Sequence, residues 1–422
     1  MKFVFADGEK IGYFDGNGHT VYESKYITGY KNNALRTAKN KEWKKQTDRM
    51  MQDEYYFQSL DETEVIASVC SVALTPQENT LLYAFTVNGT SGIYAKSLDD
   101  KEKTESHVIT SNEEDFHSLH TTQDGQTLGA VRTDSVVSNI AVFKQNGGDY
   151  KSLTGGDSFD ENPAFDPQGN VLFNSYAVGR DANNNFVAYM PSEIYRLNVT
   201  TLDTEILLSD EKYSFVKPIM DSQGNLYCIK KPDSEKNEGN IFLDILLIPV
   251  RIVEAIVGFI SAFVMCFSGK PMISGQSAKS IGNGGDAAKN GKGDPKKAFI
   301  NNNLVNVEKE LKKNKKSDEY GFIPRSWTLI KVTKNGEMKE LAHGVADFAL
   351  VEEGQENTLV YTTGKRIFSV IDGENSVKKE KLFNVDFCVK VGGIQTGKQE
   401  KCDGQVCDDG LFDKLQNGWI KR

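Results

Sequence analysis

A short pattern of apolar strands and polar turns recurs along the chain, and residues 162–173 show it most clearly. Residues 162–165 read as a strand, 166–170 (Asp-Pro-Gln-Gly-Asn) as a tight turn, and 171–173 (Val-Leu-Phe) as a second strand. Proline and glycine supply the backbone angles that such turns need, and β-branched and aromatic residues favour the strands. Related stretches begin at Val72, Leu119 and Pro218, and strand-like runs follow them. A repeated unit of four strands therefore predicts an all-β fold.

One of these units is split by a long insertion. Residues 218–228 supply two strands, but the matching third and fourth strands, 327–332 and 337–341, come about ninety residues later. We therefore predict that both halves belong to one sheet and that the insertion leaves from a loop between its strands.

The two ends of the chain complement each other. Residues 2–23 contain three strand-like runs and lack a first strand, whereas residues 385–391 repeat a first-strand pattern with no second strand after it. Pairing the two ends would complete a sixth unit and remove the exposed sheet edges. The sequence thus predicts a six-bladed β-propeller closed by its N- and C-terminal strands, with a basic helical insert and an apolar helical membrane-type insert.

The predicted bounds follow from these patterns. They are blade 1, 1–23 plus 385–393; basic helical insert, 24–63; blade 2, 64–110; blade 3, 111–155; blade 4, 156–210; blade 5, 211–233 plus 324–344; insertion, 234–323; blade 6, 345–384; and C-terminal tail, 394–422.

The turn before the second strand and an Ile-Tyr pair in the third strand resemble the TolB-like (PD40, WD40-like) propeller repeats. Residues 165–169 and 221–224 fit that repeat well, whereas residues 74–78 lack its glycine. The resemblance implies a propeller and leaves the activity open, because propellers host many unrelated functions.

The insertion contains an apolar run of twenty-seven residues, 241–267, in which only Asp244, Arg251 and Glu254 are charged. A helix of about 20 apolar residues is long enough to span a bilayer core. We expect this run to be a helix whose membrane-contacting side chains are Ile245, Leu246, Ile252, Val253, Ile256, Val257, Phe259, Ile260, Phe263, Val264 and Phe267.

Topology restricts how this run meets a membrane. Because both ends of the insertion return to one blade, the chain must enter and leave on the same side of a bilayer. The prediction is a helix lying in the interface or a re-entrant hairpin bent near Pro249. The alternative is a helix that packs on the propeller, on another copy or on a membrane protein.

Charge is distributed unevenly around a formal net charge of −9. Residues 270–316 hold eleven Lys against four acidic residues, and residues 31–51 hold seven Lys or Arg against two. The acidic remainder argues against nucleic acid as a partner, and we read 31–53 as a basic helix. Lysines beside an apolar run favour anionic lipid. The predicted basic surface comprises Lys289, Lys292, Lys296, Lys297, Lys312, Lys313, Lys315 and Lys316, in a Gly-rich linker and in a short helix over 303–316.

Catalytic motifs are scarce. The sequence has no Gly-x-Ser-x-Gly, His-Glu-x-x-His or Cys-x-x-Cys, and Ser214-x-x-Lys217 lies in a predicted strand where we take it as coincidence. His117 and His120 lie near Glu114 and Asp115 but across one strand. We therefore predict no catalytic, cofactor-binding or metal-binding residue and no cofactor.

The N-terminus shows no signal-peptide pattern, so we expect a cytoplasmic protein with reduced cysteines. The function predicted from these features is a scaffold that binds protein partners on the cytoplasmic side of the cell membrane, peripheral or re-entrant, with membrane lipid or a membrane protein contacted through 241–267. The alternative is an enzyme or small-ligand sensor with its site in the central channel.

Overall fold

The computed structural model describes residues 1–48, 65, 67–75, 79–98, 105–122, 126–133, 136–184, 186–233, 297–353, 356–372 and 377–393. Strands dominate these ranges, which confirms the all-β class. Two helices are present within them, α1 (Lys25–Asp48) and α2 (Val307–Lys313).

The recurring turn forms because an aspartate side chain organises it. In the turn at 166–170, Asp166 Oδ1 accepts hydrogen bonds from the backbone N–H groups of Gln168 (2.9 Å) and Asn170 (2.8 Å). Gly169 takes the left-handed φ of 82° that L-residues adopt reluctantly. Asp221 makes the same contacts in the turn at 221–225. The repeat is therefore a local structural unit.

One sheet has four strands in sequential order. They are β4 (Ala67–Thr75), β5 (Thr80–Val87), β6 (Thr90–Ser97) and β7 (Ser106–Ser111).

The next two predicted blades share one nine-stranded sheet. Its strands are β8 (Asp115–Thr121), β9 (Gln126–Arg132), β10 (Ser138–Lys144), β11 (Lys151–Ser152), β12 (Ser158–Phe165), β13 (Val171–Arg180), β14 (Phe186–Tyr189), β15 (Glu193–Leu197) and β16 (Thr204–Leu208). The link between the two halves is a single parallel pair, Ser138 with Phe159.

A second four-stranded sheet joins strands that flank the insertion. It consists of β17 (Tyr213–Met220), β18 (Leu226–Pro232), β21 (Thr328–Val332) and β22 (Met338–His343). Cys228 of β18 pairs with Ile330 of β21.

The seven-stranded sheet contains both ends of the described chain. Its strands are β23 (Asp347–Glu353), β24 (Glu356–Thr362), β25 (Gly364–Asp372), β26 (Val377–Gly393), β1 (Phe3–Asp7), β2 (Lys10–Phe14) and β3 (His19–Glu23). Strand β26 pairs with β25 through its first half and with β1 through its second, where Phe5 lies opposite Val391. The fourth strand of one predicted unit and the first strand of the next are thus one continuous strand.

The last two strands form a separate hairpin, β19 (Lys297–Ile300) and β20 (Asn303–Asn306). The prediction of a helix from 303 was wrong in its start, because 303–306 pair with β19 and Asn306 caps helix α2 by accepting from Lys309 N. Helix α1 begins earlier than the predicted basic helix, since Ser24 Oγ accepts the N–H of Ile27.

In the described part of the chain, neither helix has the length and apolar character to cross a membrane. The predicted apolar helix at 241–267 lies outside the described residues, as do the linker lysines Lys289, Lys292 and Lys296, residues 49–64 and the tail 394–422.

Candidate functional site

Six strands surround a narrow central space, and each lies beside the next. The order is β4, β8, β12, β17, β23, β26 and back to β4. The strands are the first of their predicted units, so the side chains facing this space come from equivalent positions of the repeat.

Three of these strands carry the same irregularity. Ser118, Asn162 and Lys217 have left-handed φ values of 53°, 51° and 55°, and the strand register shifts around each of them. Such bulges re-aim a side chain that regular pleating would place elsewhere. All three residues line the central space.

A polar ring, which we define as Ser71, Ser118, Asn162, Asn174, Lys217 and Asp347, links strands β4, β8, β12, β13, β17 and β23. Ser71 Oγ accepts from Leu119 N at 2.8 Å, and Ser118 Oγ donates to Asn162 Oδ1 at 3.2 Å. Asn174 Oδ1 accepts from Asn162 Nδ2 at 2.9 Å and from Lys217 N at 3.0 Å. Three of these contacts join neighbouring predicted blades, and the bond between Asn162 and Asn174 lies within one blade. The ring therefore connects distant parts of the sequence.

An ion pair joins the last two members of the ring. Lys217 Nζ lies 2.5 Å from Asp347 Oδ1 and donates to Val391 O at 3.0 Å. Asp347 Oδ2 accepts from Val391 N at 2.8 Å. Asp347 is only 1% exposed, and burial lowers the pKa of Lys217 while Asp347 opposes that shift. The carboxylate of Asp347 thus offsets the buried charge of Lys217. Lys390 also lines the central space.

Little free volume remains. The space between the six strands is about 50 Å³, enough for a few water molecules at roughly 10–15 Å³ each. His120 lines it, and burial followed by the charge of Lys217 lowers its pKa to about 4. A neutral imidazole therefore faces the ring near neutral pH.

A second polar cluster lies where the insertion returns. Lys231, at the end of β18, is 1% exposed; its Nζ donates to Tyr176 Oη at 3.0 Å and to the carbonyl oxygen of Asn301. Burial lowers the pKa of Lys231 to about 7, an effect opposed by Glu161. This nitrogen lies over the rings of Tyr176 and Trp327, at 5.3 and 5.5 Å from the ring centroids.

This contact also joins the two described segments on either side of residues 234–296. Lys231 lies three residues before position 234, and Asn301 lies five residues after position 296. The described residues that precede and follow this stretch therefore lie beside each other.

The remaining predicted basic residues lie near that place in sequence, and four of them, Lys312, Lys313, Lys315 and Lys316, are on the surface. Lys312 and Lys313 are paired with Glu308 (2.5 Å) and Glu310 (2.7 Å), whereas Lys315 and Lys316 are exposed. Lys297 belongs to β19. Two of the four basic-surface lysines predicted for the helix over 303–316 are thus paired with glutamates of helix α2.

The structure separates the histidines that the sequence brought together. His117 Nε2 lies 3.5 Å from Glu161 Oε1, whereas His120 lines the central space. Ser214 Oγ donates to Asp233 Oδ1 at 3.0 Å, so it does not act with Lys217. The sequence reasoning missed Lys217, Asp347, Asn174 and Lys231. One signal was present, because Asn162 and Lys217 each precede a proline at the same place in the repeat.

No family model matches the sequence, and no curated protein matches it. Among solved structures, TolB from Acinetobacter baumannii aligns with a TM-score of 0.45 and 10% identity over 93% of this chain and 65% of that chain. A protein assigned as TolB from Agrobacterium tumefaciens gives 0.38 and 11% over 77% and 82%. A protein of unknown function from Dyadobacter fermentans gives 0.41 and 8% over 76% and 83%. TolB proteins, whose repeats the sequence resembles, are thus among its structural neighbours, and this chain spans about 65% of the Acinetobacter protein.

Proposed function

We propose that the chain is a six-bladed β-propeller that binds protein partners as a scaffold and is held at the cytoplasmic face of a membrane by its insertion. The observation that carries this proposal is the contact between Lys231 and Asn301. It supports a segment that leaves and returns on one side of the body, as an interfacial or re-entrant membrane contact requires.

The filled channel supports recognition on the outer surfaces. Pockets for small ligands usually measure about 300–1,000 Å³. The space inside the polar ring is about 50 Å³. The alternative function, an enzyme or ligand sensor with its site in the channel, would require the ring to open and the Lys217–Asp347 pair to separate.

Charge supports attraction to anionic lipid. The run 241–267 is followed by eleven Lys in residues 270–316, and Lys315 and Lys316 are exposed beside helix α2. Basic residues next to an apolar membrane contact each add about 1 kcal/mol of attraction to an anionic surface.

Flotation with lipid vesicles tests the membrane contact. The full chain is compared with a variant in which residues 236–294 are replaced by a short Gly/Ser linker, on vesicles of phosphatidylcholine with and without phosphatidylserine. We expect the full chain to float, more strongly with phosphatidylserine, and the deletion variant to remain at the bottom. Equal behaviour of the two proteins would refute the membrane contact.

A charge control separates lipid attraction from general stickiness. The triple variant Lys289→Gln, Lys292→Gln, Lys296→Gln removes three of the eleven lysines in residues 270–316 and should lose part of the dependence on phosphatidylserine. The matched variant Lys144→Gln, Lys378→Gln, Lys381→Gln changes three exposed lysines elsewhere and should behave like the parent.

A further inference from the structure

The hairpin of β19 and β20, residues 297–306, is attached to the body in an unusual way. Within the described residues its strands pair only with each other. A two-stranded hairpin alone is at best marginally stable in water. Its order therefore depends on the surface against which it packs.

That surface receives the hairpin through side chains. Ile300 and Val305 are both 4% exposed and belong to one apolar cluster with Phe159, Tyr176 and Trp327. Between them, Asn301 and Asn302 have left-handed φ values of 46° and 58°, the geometry of a two-residue type I′ turn. The tip of the hairpin is thus inserted into the body.

The body offers both donors and an acceptor to this tip. Lys231 Nζ donates to the carbonyl oxygen of Asn301, and Tyr176 Oη lies 3.5 Å from the same oxygen. The carbonyl oxygen of Ala346 accepts from Asn301 Nδ2 at 2.7 Å. These groups come from β13, β18 and the residue before β23, so parts of three predicted blades converge on one turn.

The buried lysine shows that the pocket needs an occupant. A buried N–H donor is costly to leave without an acceptor, whether or not the amine carries a charge. Here one acceptor is the hydroxyl of Tyr176 and another is the carbonyl of Asn301, which the hairpin supplies. We define the hairpin pocket as Phe159, Tyr176, Lys231, Trp327 and the carbonyl of Ala346.

We infer that the hairpin pocket is a recognition site for a polypeptide turn and that the chain's own hairpin occupies it as an intramolecular ligand. The inference rests on the proposed scaffold function and names the chemistry of the partner. The partner presents a two-residue β-turn, a backbone carbonyl toward Lys231, a side-chain amide toward Ala346 and flanking aliphatic residues that replace Ile300 and Val305.

A competition experiment tests this inference on the full chain. The probe is a fluorescent, cyclised peptide carrying residues 297–306, and its binding is followed by anisotropy. Val305→Asp weakens the internal hairpin without changing the pocket. We expect this variant to bind the peptide about tenfold more tightly than the parent, equivalent to about 1.4 kcal/mol. Val21→Asp, at a valine that is 40% exposed, should match the parent.

Pocket variants identify where the peptide binds. Adding Lys231→Met to Val305→Asp should abolish binding, whereas Lys230→Met, whose Nζ lies over the ring of Tyr213 at 4.0 Å, should preserve it. A peptide with Asn301→Gly keeps the turn but loses the amide and should bind about tenfold more weakly.

Two outcomes would overturn the inference. One is a Val305→Asp variant that binds the peptide no better than the parent. The other is loss of its cooperative thermal transition, which would make the hairpin an integral part of the core. Vesicle flotation of the same variant reports on the membrane contact separately, so peptide binding without flotation would reject the proposed location and leave the pocket intact.

Discussion

Lys217 and Asp347 join two strands from distant parts of the sequence, with Nζ 2.5 Å from Oδ1 and the carboxylate almost completely buried. Both groups also bond to the backbone of Val391, which places the C-terminal strand β26 in the same network. One ion pair therefore holds three of the six strands around the central space.

Removing one partner of this pair should destabilise the folded protein strongly. Asp347→Ala leaves the Lys217 ammonium buried without its counterion, and we expect a loss of about 3–5 kcal/mol in the free energy of unfolding, measured by urea denaturation. The double variant Lys217→Met, Asp347→Ala should recover a large part of that loss.

A surface pair provides the control for this cycle. Lys312 and Glu308 are 74% and 41% exposed, and Glu308→Ala should cost less than about 0.5 kcal/mol. Equal losses from Asp347→Ala and Glu308→Ala would contradict the importance given to the ring.

The contact between β26 and β4 should be sensitive to a single methyl group. A Cβ at Gly392 would lie 2.4 Å from the carbonyl oxygen of Val72, which is backbone and cannot rotate away. We expect Gly392→Ala to lower the midpoint of thermal unfolding and to cost about 1–3 kcal/mol. At Gly18 a Cβ meets nothing within 4 Å, so Gly18→Ala should change stability little. If Gly392→Ala leaves the midpoint of thermal unfolding unchanged, β26 and β4 do not approach each other as closely as this distance requires.

The recurring turn was readable from sequence because its determinants are local. Asp166 and Gly169 act within five residues, and the same pattern predicted the turn at Asp221. The pairing of Cys228 with the strand after Trp327 could also be anticipated, since the repeat leaves two strands missing on one side and two unassigned on the other.

The polar ring was not readable in the same way. Alternation predicts which face of a strand a residue occupies, but the left-handed bulge at Lys217 turns its side chain toward Asp347. Residues 303–306 were predicted as the start of the Lys-rich helix that follows them, but they form strand β20. Asparagine suits helix caps as well as type I′ turns. Asn306 takes the first role and Asn301 the second.

His120 should make stability depend on pH below neutrality. Burial and the charge of Lys217 lower its pKa from 6.5 to about 4, so between these values the unfolded chain binds a proton that the folded protein does not. The contribution of His120 to the free energy of unfolding is therefore fully present above pH 6.5 and is lost as the pH falls toward 4. Relative to His120→Gln, the parent should lose about 3 kcal/mol over that range in urea titrations.

The exposed His107 provides the matched control for that titration. The variant His107→Gln should retain the pH dependence of the parent. If His120→Gln also retains it, the imidazole of His120 is not held neutral by its surroundings.

Lys231 should make stability depend on pH above neutrality. Burial lowers its pKa from 10.5 to about 7, so between pH 7 and 10.5 the unfolded chain holds a proton that the folded protein has released. Stability therefore rises with pH across this window, by at most about 1.4 kcal/mol per pH unit. In Lys231→Met the unfolded chain has no such proton, and we expect the difference in unfolding free energy between parent and variant to grow from pH 7.5 to 9.5. Lys230→Met, at the neighbouring position over the ring of Tyr213, should stay parallel to the parent. A constant difference for Lys231→Met would mean that water reaches the ammonium group and that the hairpin does not seal it.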